Sequence, residues 1–286
     1  MRKFNKLVKA RNGHCLFNIN DKYIGHSFAN YGEFSQLEVE LFKQLCKKGD
    51  TIIEVGANIG AHTQFFANSV GKSGKVLAFE PQRIVFQTLC ANMAINSITN
   101  VYTYQMALSN EEGEVLIPPI DYSKLGNFGG ISLENAKKGE KVIQKKLDSF
   151  IEDIDNLKLI KIDVEGMEEK VLRGAKEIIE KFKPFLYVEN DRQEKSQALI
   201  EYIQSLDYEL YWHLPRLFNP NNFYKNSKNI FGNIVSVNML CIPKSLKIKV
   251  EKMEKVEDSK FHPMGKNNEQ KWKYKTVIKK SIWGLL

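Results

Sequence analysis

The chain has 286 residues, enough to bury a large core, and we expect one domain of about 200 to 250 residues with extensions. Its four cysteines form no C-x-x-C pair and no cysteine–histidine cluster, which argues against a structural zinc site and a disulfide framework. The N-terminus is polar, and no apolar run approaches the roughly 18 residues of a membrane span. We therefore expect a soluble, cytoplasmic protein.

The net charge of +8 is concentrated at the C-terminus. Residues 244–286 hold twelve lysines against five acids, a balance of +7, so the preceding 243 residues carry only +1. Phosphate contacts need a basic surface close to the active site, and a nearly neutral body argues against an enzyme that modifies RNA or a cap. Nucleic-acid binding therefore stays a weaker alternative suggested by the tail alone.

Strands and helices alternate through the body of the chain, the order typical of a parallel sheet covered by helices on both faces. Residues 113–135 are expected to be irregular, and helices are expected at about 62–70, 85–96, 168–182 and 196–206. The predicted strands are DTIIEV (50–55), KVLAFE (75–80), NVYTYQMAL (100–108), LKLIKIDV (157–164), FLYVEN (185–190), YELYWHL (208–214) and SVNMLCIP (236–243).

Polar side chains stand at the ends of several of these strands. Ligands of open α/β sheets bind beyond the carboxyl ends of the strands. We therefore expect one crevice to collect Glu54, Glu80, Asp163, Glu189 and His213.

The stretch IIEVGANIGAHT (52–63) predicts a strand, a tight turn and the start of a helix. Asn58 stands where a dinucleotide site has its second glycine, and its side chain would fill the space of a pyrophosphate. S-adenosylmethionine (SAM) has no phosphate. Its carboxylate suits the amides after Gly60, its ammonium suits Glu54, and Glu80 is placed to grip ribose hydroxyls. A plain turn without a ligand is the alternative.

Five motifs resemble the FkbM-type SAM-dependent methyltransferases over about residues 31–243: EVGANIGAHT, FEP, ALSNEEG (107–113), LDSF (147–150) and IKIDVEGMEEKVLRGA (160–175). The resemblance implies a Rossmann-like class I α/β fold with a seven-stranded, mostly parallel sheet, an antiparallel last strand and helices on both faces. It also implies O-methylation, largely of sugar hydroxyls in glycans and natural products. The chain then divides into an N-terminal extension (1–30), a methyltransferase domain (31–243) and a basic tail (244–286).

The resemblance implies a role for each matching residue. NYGEF, from Asn30, resembles the segment that closes over the methionine end of SAM, and Asp163 matches the position that faces the transferred methyl group. The residues implied to bind SAM are Glu54, Gly56, Ala57, Asn58, Gly60, Glu80, Ala107, Leu108, Tyr31 and Glu33.

Methyl transfer to a sugar hydroxyl needs a general base or a divalent metal that stabilises the alkoxide. Asp163 and Glu165 stand two apart after a strand, so one can enter the crevice while the other supports the next helix. His213 is the best histidine for a base, with a structural role as the alternative. Asp163, Glu189 and Asn190 offer oxygen ligands suited to Mg²⁺, or hydrogen-bond anchors without a metal.

Two irregular segments, 122–133 and 213–233, are rich in Asn, Tyr, Phe and Gly, which suits a carbohydrate acceptor. In the tail, KSLKIKVEKMEKVEDSK (244–260) predicts a solvated helix or linker. KWKYKTVIKKSIWGLL (271–286) could lie on an anionic membrane surface, or pack on the domain or on a second copy in a homo-oligomer. A non-catalytic SAM-fold binding module anchored by this tail is a further alternative.

Overall fold

The computed structural model describes residues 3–133 and 136–265. Its helices are α1 (Ile24–Tyr31), α2 (Gln36–Leu45), α3 (Ala61–Val70), α4 (Arg83–Ile95), α5 (Glu168–Arg173), α6 (Lys176–Phe182) and α7 (Gln193–Ser205), with 3₁₀ helices at Leu147–Asp153 and Lys244–Leu246. Its strands are β1 (Asn5–Ala10), β2 (Gly13–Asn18), β3 (Thr51–Val55), β4 (Lys75–Phe79), β5 (Val101–Tyr104), β6 (Ala107–Leu108), β7 (Gly113–Ile117), β8 (Glu140–Lys145), β9 (Leu157–Ile162), β10 (Phe185–Glu189), β11 (Tyr208–His213), β12 (Asn238–Pro243) and β13 (Glu254–Lys255).

The central sheet confirms the predicted Rossmann-like methyltransferase architecture. Its strand order is β13-β11-β12-β10-β9-β3-β4-β5, in which β10, β9, β3, β4 and β5 are mutually parallel. Strand β12 runs antiparallel to both of its neighbours, as expected for the last strand of the seven. The short strand β13 adds an eighth strand at the edge beside β11.

Alternation along the buried strands divides the core between the two faces of the sheet. Ile160 and Ile162 of β9 pack on the side of α5, α6 and α7, with Val188 and Trp212 from other strands. Leu159 packs on the opposite side, in the cluster that α2 and α3 contribute to. Side chains two apart on a strand share a face. Lys161 therefore lies on the α2 and α3 side of the sheet.

Several elements differ from the sequence prediction for local reasons. Residues 100–108 divide into β5 and β6, and β7, which lies in the region expected to be irregular, joins β6 and β8 in a separate three-stranded sheet. The single helix predicted at 168–182 is two helices, α5 and α6. At Gly174, between them, a Cβ atom would lie 2.0 Å from the Ser109 carbonyl oxygen. The break lets the chain approach that backbone closely.

Both flanking segments take part in the fold where they are described. Strands β1 and β2 form a hairpin joined to α4 through Asn92 and Asn96, whose side-chain oxygens accept backbone N–H groups of the hairpin. Residues 244–260 are not the predicted solvated helix or linker: β13 pairs with β11, and Met253 and Val256 are buried. Residues 271–286, predicted to contact a membrane or pack, lie outside the described residues. No helix in the described part of the chain has the length and apolar character to cross a bilayer.

Candidate active site

A cavity of about 310 Å³ lies at the carboxyl ends of β3, β4, β9 and β10. Among the described residues, seven carboxyl side chains and two basic side chains, Lys161 and Arg192, line it. The seven are Glu38, Glu54, Glu80, Asp163, Glu165, Glu189 and Asp191. Apart from Glu38 and Asp191, these acids were all expected at strand ends or in the acidic motif that follows β9. The cavity therefore carries an excess of negative charge.

The turn between β3 and α3 forms one wall. Gly56 has φ +82°, and a Cβ atom there would lie 1.8 Å from the Asp163 carbonyl oxygen, so the turn passes directly over the end of β9. Ala57 and Asn58 line the cavity, and Asn58 has φ +51° with its Oδ1 accepting the Ile59 N–H at 2.8 Å. Gly60 precedes α3 with φ +86° and packs behind the wall instead of lining it.

Glu80 connects this cavity to a smaller one of about 50 Å³. Its two carboxylate oxygens accept the N–H groups of Asn58 at 3.0 Å and Gln82 at 2.8 Å. Burial raises the pKa of Glu80 to about 7 against these two hydrogen bonds, which lower it. The smaller cavity is lined by Ala107 and Leu108 among further apolar side chains, and is suited to a flat ring.

A row of polar side chains crosses the floor of the larger cavity. Glu54 on β3, Lys161 on β9 and Tyr187 on β10 are in register, so they lie side by side on one face of the sheet. Lys161 forms an ion pair of 2.9 Å with Asp163. Burial alone would lower the pKa of Lys161, but Asp163, Glu54 and Glu38 outweigh it and hold that pKa above its ordinary value. Lys161 is thus a permanent buried cation.

Two of the carboxyl groups beside Lys161 are poised to titrate near neutrality. Burial raises the pKa of Glu54 to about 7, although Lys161 and the Thr63 hydroxyl, which donates to it at 2.6 Å, act in the opposite direction. Burial likewise raises the pKa of Glu38 to about 7. Glu38 lies in α2, and Ser35, the residue immediately before that helix, donates its hydroxyl to the Glu38 carboxylate at 2.6 Å.

The open side of the cavity holds Glu165, Glu189, Asp191 and Arg192. One oxygen from each of Asp163, Glu165 and Glu189 lies within 4.8 Å of the others, the spacing of a cation site. Arg192, however, pairs with Glu165 at 2.5 Å, and Lys161 already pairs with Asp163. Two of the three carboxylates therefore have cationic partners from the chain itself, and the donor set fits a metal poorly.

Besides Gly60, four of the residues predicted for the site line neither cavity. His213 is buried on β11, where its Nδ1 is 2.8 Å from the Tyr187 hydroxyl, and burial lowers its pKa to about 3. Asn190, predicted as a metal ligand, is buried and accepts a hydrogen bond from His262 through its carbonyl oxygen. Neither side chain can reach a ligand in the cavity, so direct roles for His213 as base and Asn190 as metal ligand find no support in the geometry.

Tyr31 and Glu33 hold a loop instead of covering the cavity. The Tyr31 hydroxyl donates to the Lys228 carbonyl and accepts the Ile230 N–H. Glu33 accepts hydrogen bonds from Arg11, from Asn219 and from a backbone amide of the same loop. The residues of this N-terminal segment that line the cavity are Tyr23, Ile24 and Phe34.

The two segments predicted to bind an acceptor contribute unequally. Asn127, Gly129 and Gly130 of the first segment line the cavity. The second segment, 213–233, contributes Leu217, whereas its aromatic rings Phe218 and Phe231 pack on Tyr31 at centroid distances of 5.4 and 5.8 Å. Those rings stabilise the loop and are not free to stack on a sugar.

Glu38, Lys161, His62 and Asn238 line the cavity but were not predicted for it. The strand LKLIKIDV contains two lysines, and the position of Lys161 two residues before Asp163, on the same face of a strand, was an available signal. Glu38 follows a helix pattern that looks like a solvated face. Among the described residues that line the cavity, His62 Nε2, Asn238 Nδ2 and Glu189 Oε2 are buried without a hydrogen-bond partner in the protein, so they can form hydrogen bonds to a bound molecule.

Two curated methyltransferases are similar in sequence to part of this chain. Methyltransferase 1 of Beauveria bassiana (strain ARSEF 2860) is 28% identical over 43% of this chain and 57% of its own length. Methyltransferase sdnD of Sordaria araneosa is 26% identical over 44% of this chain and 60% of its own. The chain therefore spans less than two thirds of either curated relative.

Among solved structures, two similar ones have low identity and low TM-scores. Methyltransferase FkbM from Methylobacillus flagellatus KT has 18% identity and a TM-score of 0.46, covering 67% of this chain and 43% of that one. Aeropyrum pernix fibrillarin in complex with SAM has 12% identity and a TM-score of 0.42, covering 84% of each chain. The sequence model of the Methyltransferase FkbM domain matches residues 54–210, which is more than half of the chain. The chain therefore belongs to the FkbM methyltransferase family.

Proposed function

We propose that the protein is a SAM-dependent O-methyltransferase that acts on a sugar hydroxyl of a glycan or glycosylated metabolite. The observation that carries the proposal is a polar cavity that continues into an apolar one, with Glu80 between them and the Gly56 turn over both. These features match the two ends of SAM, and the buried unpartnered polar atoms on the cavity wall offer it hydrogen bonds.

The residues present fit SAM in a definite orientation. When bound, SAM supplies a methyl group on a positively charged sulfonium. Glu54 would hold the ammonium, Glu80 the ribose hydroxyls, and Ala107 and Leu108 the adenine. The first amide groups of α3, at Ala61 and His62, belong to residues that line the cavity and would face the carboxylate.

The charge of the cavity favours a neutral acceptor. Seven carboxyl groups face two cations, and although burial raises the pKa of Glu38, Glu54 and Glu80 to about 7, the lining holds no surplus of cations to bind a phosphate. This counts against the RNA or cap alternative. A polyhydroxyl acceptor, in contrast, hydrogen-bonds well to carboxyl groups and to the amide of Asn127. A non-catalytic SAM-binding module would methylate no acceptor, which the transfer assay below tests.

A divalent cation is the weaker part of the proposal. Asp163, Glu165 and Glu189 are close enough for one, but Lys161 and Arg192 already compensate two of these charges. The chain's own residues would bind and orient the acceptor without it, and we expect methyl transfer to persist in EDTA. Loss of activity in EDTA, restored by Mg²⁺, would show that the cation is required.

The test begins with calorimetric titration of SAM into wild type, Glu80→Gln and Glu169→Gln. Glu169 pairs with Arg173 on the surface and serves as the control. Glutamine cannot accept both amide hydrogen bonds and a ribose hydroxyl as a carboxylate does, so affinity should fall about 10- to 100-fold. The control should match wild type. A wild type that does not bind SAM would refute the proposal.

The same preparations then identify the acceptor class. Methyl transfer is measured against neutral oligosaccharides and glycosides, sugar phosphates and RNA. We expect turnover with neutral sugars and none with the anionic substrates. Turnover with RNA alone would replace the carbohydrate proposal by the nucleic-acid one.

The remaining expectations about partners and place in the cell stay proposals. Contact of the tail with an anionic membrane, or with a second copy, concerns chiefly residues 271–286. Co-sedimentation of the full chain with anionic vesicles, compared with a chain ending at residue 265, tests the first, and mass measurement in solution tests the second. A cytoplasmic location stays a prediction.

A further inference from the structure

Glu38 and Glu54 differ from Asp163 and Glu165 in how they are held. Asp163 and Glu165 are each in a direct ion pair, with Lys161 and with Arg192. Glu54 and Glu38 each accept a hydroxyl hydrogen bond of 2.6 Å, from Thr63 and from Ser35, and Glu54 is the residue assigned to the ammonium of SAM. Glu38, which is 5% exposed and lines the cavity, is therefore the hydroxyl-bound carboxylate left for the acceptor, and a neutral donor fixes its direction.

One hydroxyl group binds the Glu38 carboxylate directly, and two more act on it from farther away. Ser35 donates at 2.6 Å, and the hydroxyls of Ser236 and Tyr187 face the carboxylate as longer-range donors. The Tyr187 hydroxyl has a single proton, and it is also 2.8 Å from Nδ1 of His213. If Tyr187 donates to Glu38, it must accept from the Nδ1–H of His213. A directed series of hydrogen bonds thus runs from His213 through Tyr187 to Glu38.

Burial keeps His213 and Tyr187, the first two members of this series of hydrogen bonds, in one protonation state. Burial lowers the pKa of His213 to about 3, so its ring is neutral and has one N–H, which lies on Nδ1 when Tyr187 donates to Glu38. Burial holds the pKa of Tyr187 well above its ordinary value, so the phenol remains a donor. Neither residue can exchange protons with the cavity directly, and both can orient the carboxylate that does.

We propose that Glu38 is the general base that accepts the proton of the acceptor hydroxyl, and that Tyr187 and His213 are positioning residues that aim its carboxylate into the cavity. This inference rests on the proposed function. The acceptor oxygen forms a bond to the methyl carbon while the carbon–sulfur bond breaks and its electron pair stays on sulfur. The hydroxyl proton moves to the Glu38 carboxylate, which returns it to water after the product leaves.

The surroundings of Glu38 determine how the step depends on pH. The titratable groups that act on Glu38 or share its floor of the cavity are Lys161, Asp163, Glu54, Tyr187 and His62. Burial raises the pKa of Glu38 to about 7, Lys161 and the hydroxyl donors lower it, and Asp163 raises it. Because the base must be deprotonated, the rate should rise as the pH increases through about 7.

Glu38→Gln keeps the size of the side chain and removes the base. Turnover at saturating acceptor should fall by about 100-fold or more, whereas SAM affinity by calorimetry should stay within about threefold of wild type. Tyr187→Phe removes one donor to the carboxylate, which raises the pKa of Glu38. The rising limb of the pH–rate profile should therefore move to higher pH, with a smaller loss of turnover.

Tyr208→Phe is the matched control, because Tyr208 is also a buried tyrosine whose hydroxyl donates a hydrogen bond, at 2.8 Å to the Pro184 carbonyl. Its pH–rate profile should match that of wild type. A readout independent of turnover is the carboxyl carbon resonance of Glu38 in protein labelled with ¹³C-glutamate, assigned by its absence in Glu38→Gln. Its titration midpoint should lie near 7 and rise in Tyr187→Phe.

The outcomes separate the inference from the proposed function. A wild type that binds SAM and methylates no sugar would refute the proposed function, and the base role with it. An active wild type with Glu38→Gln within about tenfold of it would overturn the base assignment alone. Equal profiles for Tyr187→Phe and Tyr208→Phe would overturn the positioning role, as would a Glu38 resonance that does not move.

Discussion

Replacing Lys161 by methionine should destabilise the folded protein, and more so at alkaline pH. Lys161 is 3% exposed, pairs with Asp163 at 2.9 Å and lies level with Glu54 on the neighbouring strand. Methionine has a similar length and no charge. The substitution therefore leaves the packing of β9 nearly intact and removes the cation that faces several carboxylates.

The magnitude follows from what the cation compensates. Removing one partner of a buried ion pair costs about 3 to 5 kcal/mol, because the remaining charge is left uncompensated. The Asp163 side chain is 40% exposed, so water takes over part of its charge, and the lower end of about 3 kcal/mol applies.

The dependence on pH comes from Glu54 and Glu38. Burial raises both pKa values to about 7, and without Lys161 they rise further. Near pH 6 the folded state already holds these protons, so the substitution costs less. Near pH 8.5 the folded protein must keep protons that unfolded glutamates, with an ordinary pKa of about 4.3, do not bind. Stability therefore falls as pH rises.

The assay is urea unfolding at about pH 6 and about pH 8.5, comparing wild type, Lys161→Met and Lys158→Met. Lys158 is on the same strand, half-buried over the Phe185 ring, and its replacement should cost less than about 1 kcal/mol at either pH. The reasoning is refuted if Lys161→Met costs no more than this control near pH 8.5, or if its cost is the same at both pH values.

Two further predictions concern the cofactor turn and the stability of the unliganded protein. Gly56→Ala should abolish SAM binding measured by calorimetry, because the new Cβ atom would lie 1.8 Å from the Asp163 carbonyl oxygen. Gly232 is also at positive φ but in open space, so Gly232→Ala should lose only about 1 kcal/mol of stability. The free energy of unfolding of the wild type should fall by about 1 kcal/mol between pH 6 and pH 8 for each of Glu54 and Glu80. The pKa values of these groups in the folded state, about 7, exceed those in the unfolded state. Their contribution to stability is therefore present at acid pH and lost as the pH rises. Urea midpoints that are flat over this range would contradict it.

Sequence patterns predicted the parts of the site that depend on local chemistry. The turn with Gly56 and the strand-end position of Glu80 follow from spacing and from what glycine permits, and the structure places both on the cavity wall. The mostly parallel sheet and its antiparallel last strand also followed from the alternation of elements and the resemblance. His213 was placed by its strand end alone, and that argument does not reveal that its side chain turns to Tyr187 and away from the cavity.

The position of Lys161 depends on a feature that spacing cannot reveal. Thr51 pairs with Leu157, but Ile52 pairs with Leu159, so β9 has one extra residue, Lys158, in its pairing with β3. Continued without this bulge, the pairing would place Glu54 opposite Ile160 and leave Lys161 out of step with it. A shift of one residue moves every following side chain to the other face of a sheet. The bulge therefore brings the cation beside the acidic floor of the cavity. The buried charge balance on which the proposed chemistry depends is thus a property of strand register, which no motif in the sequence specifies.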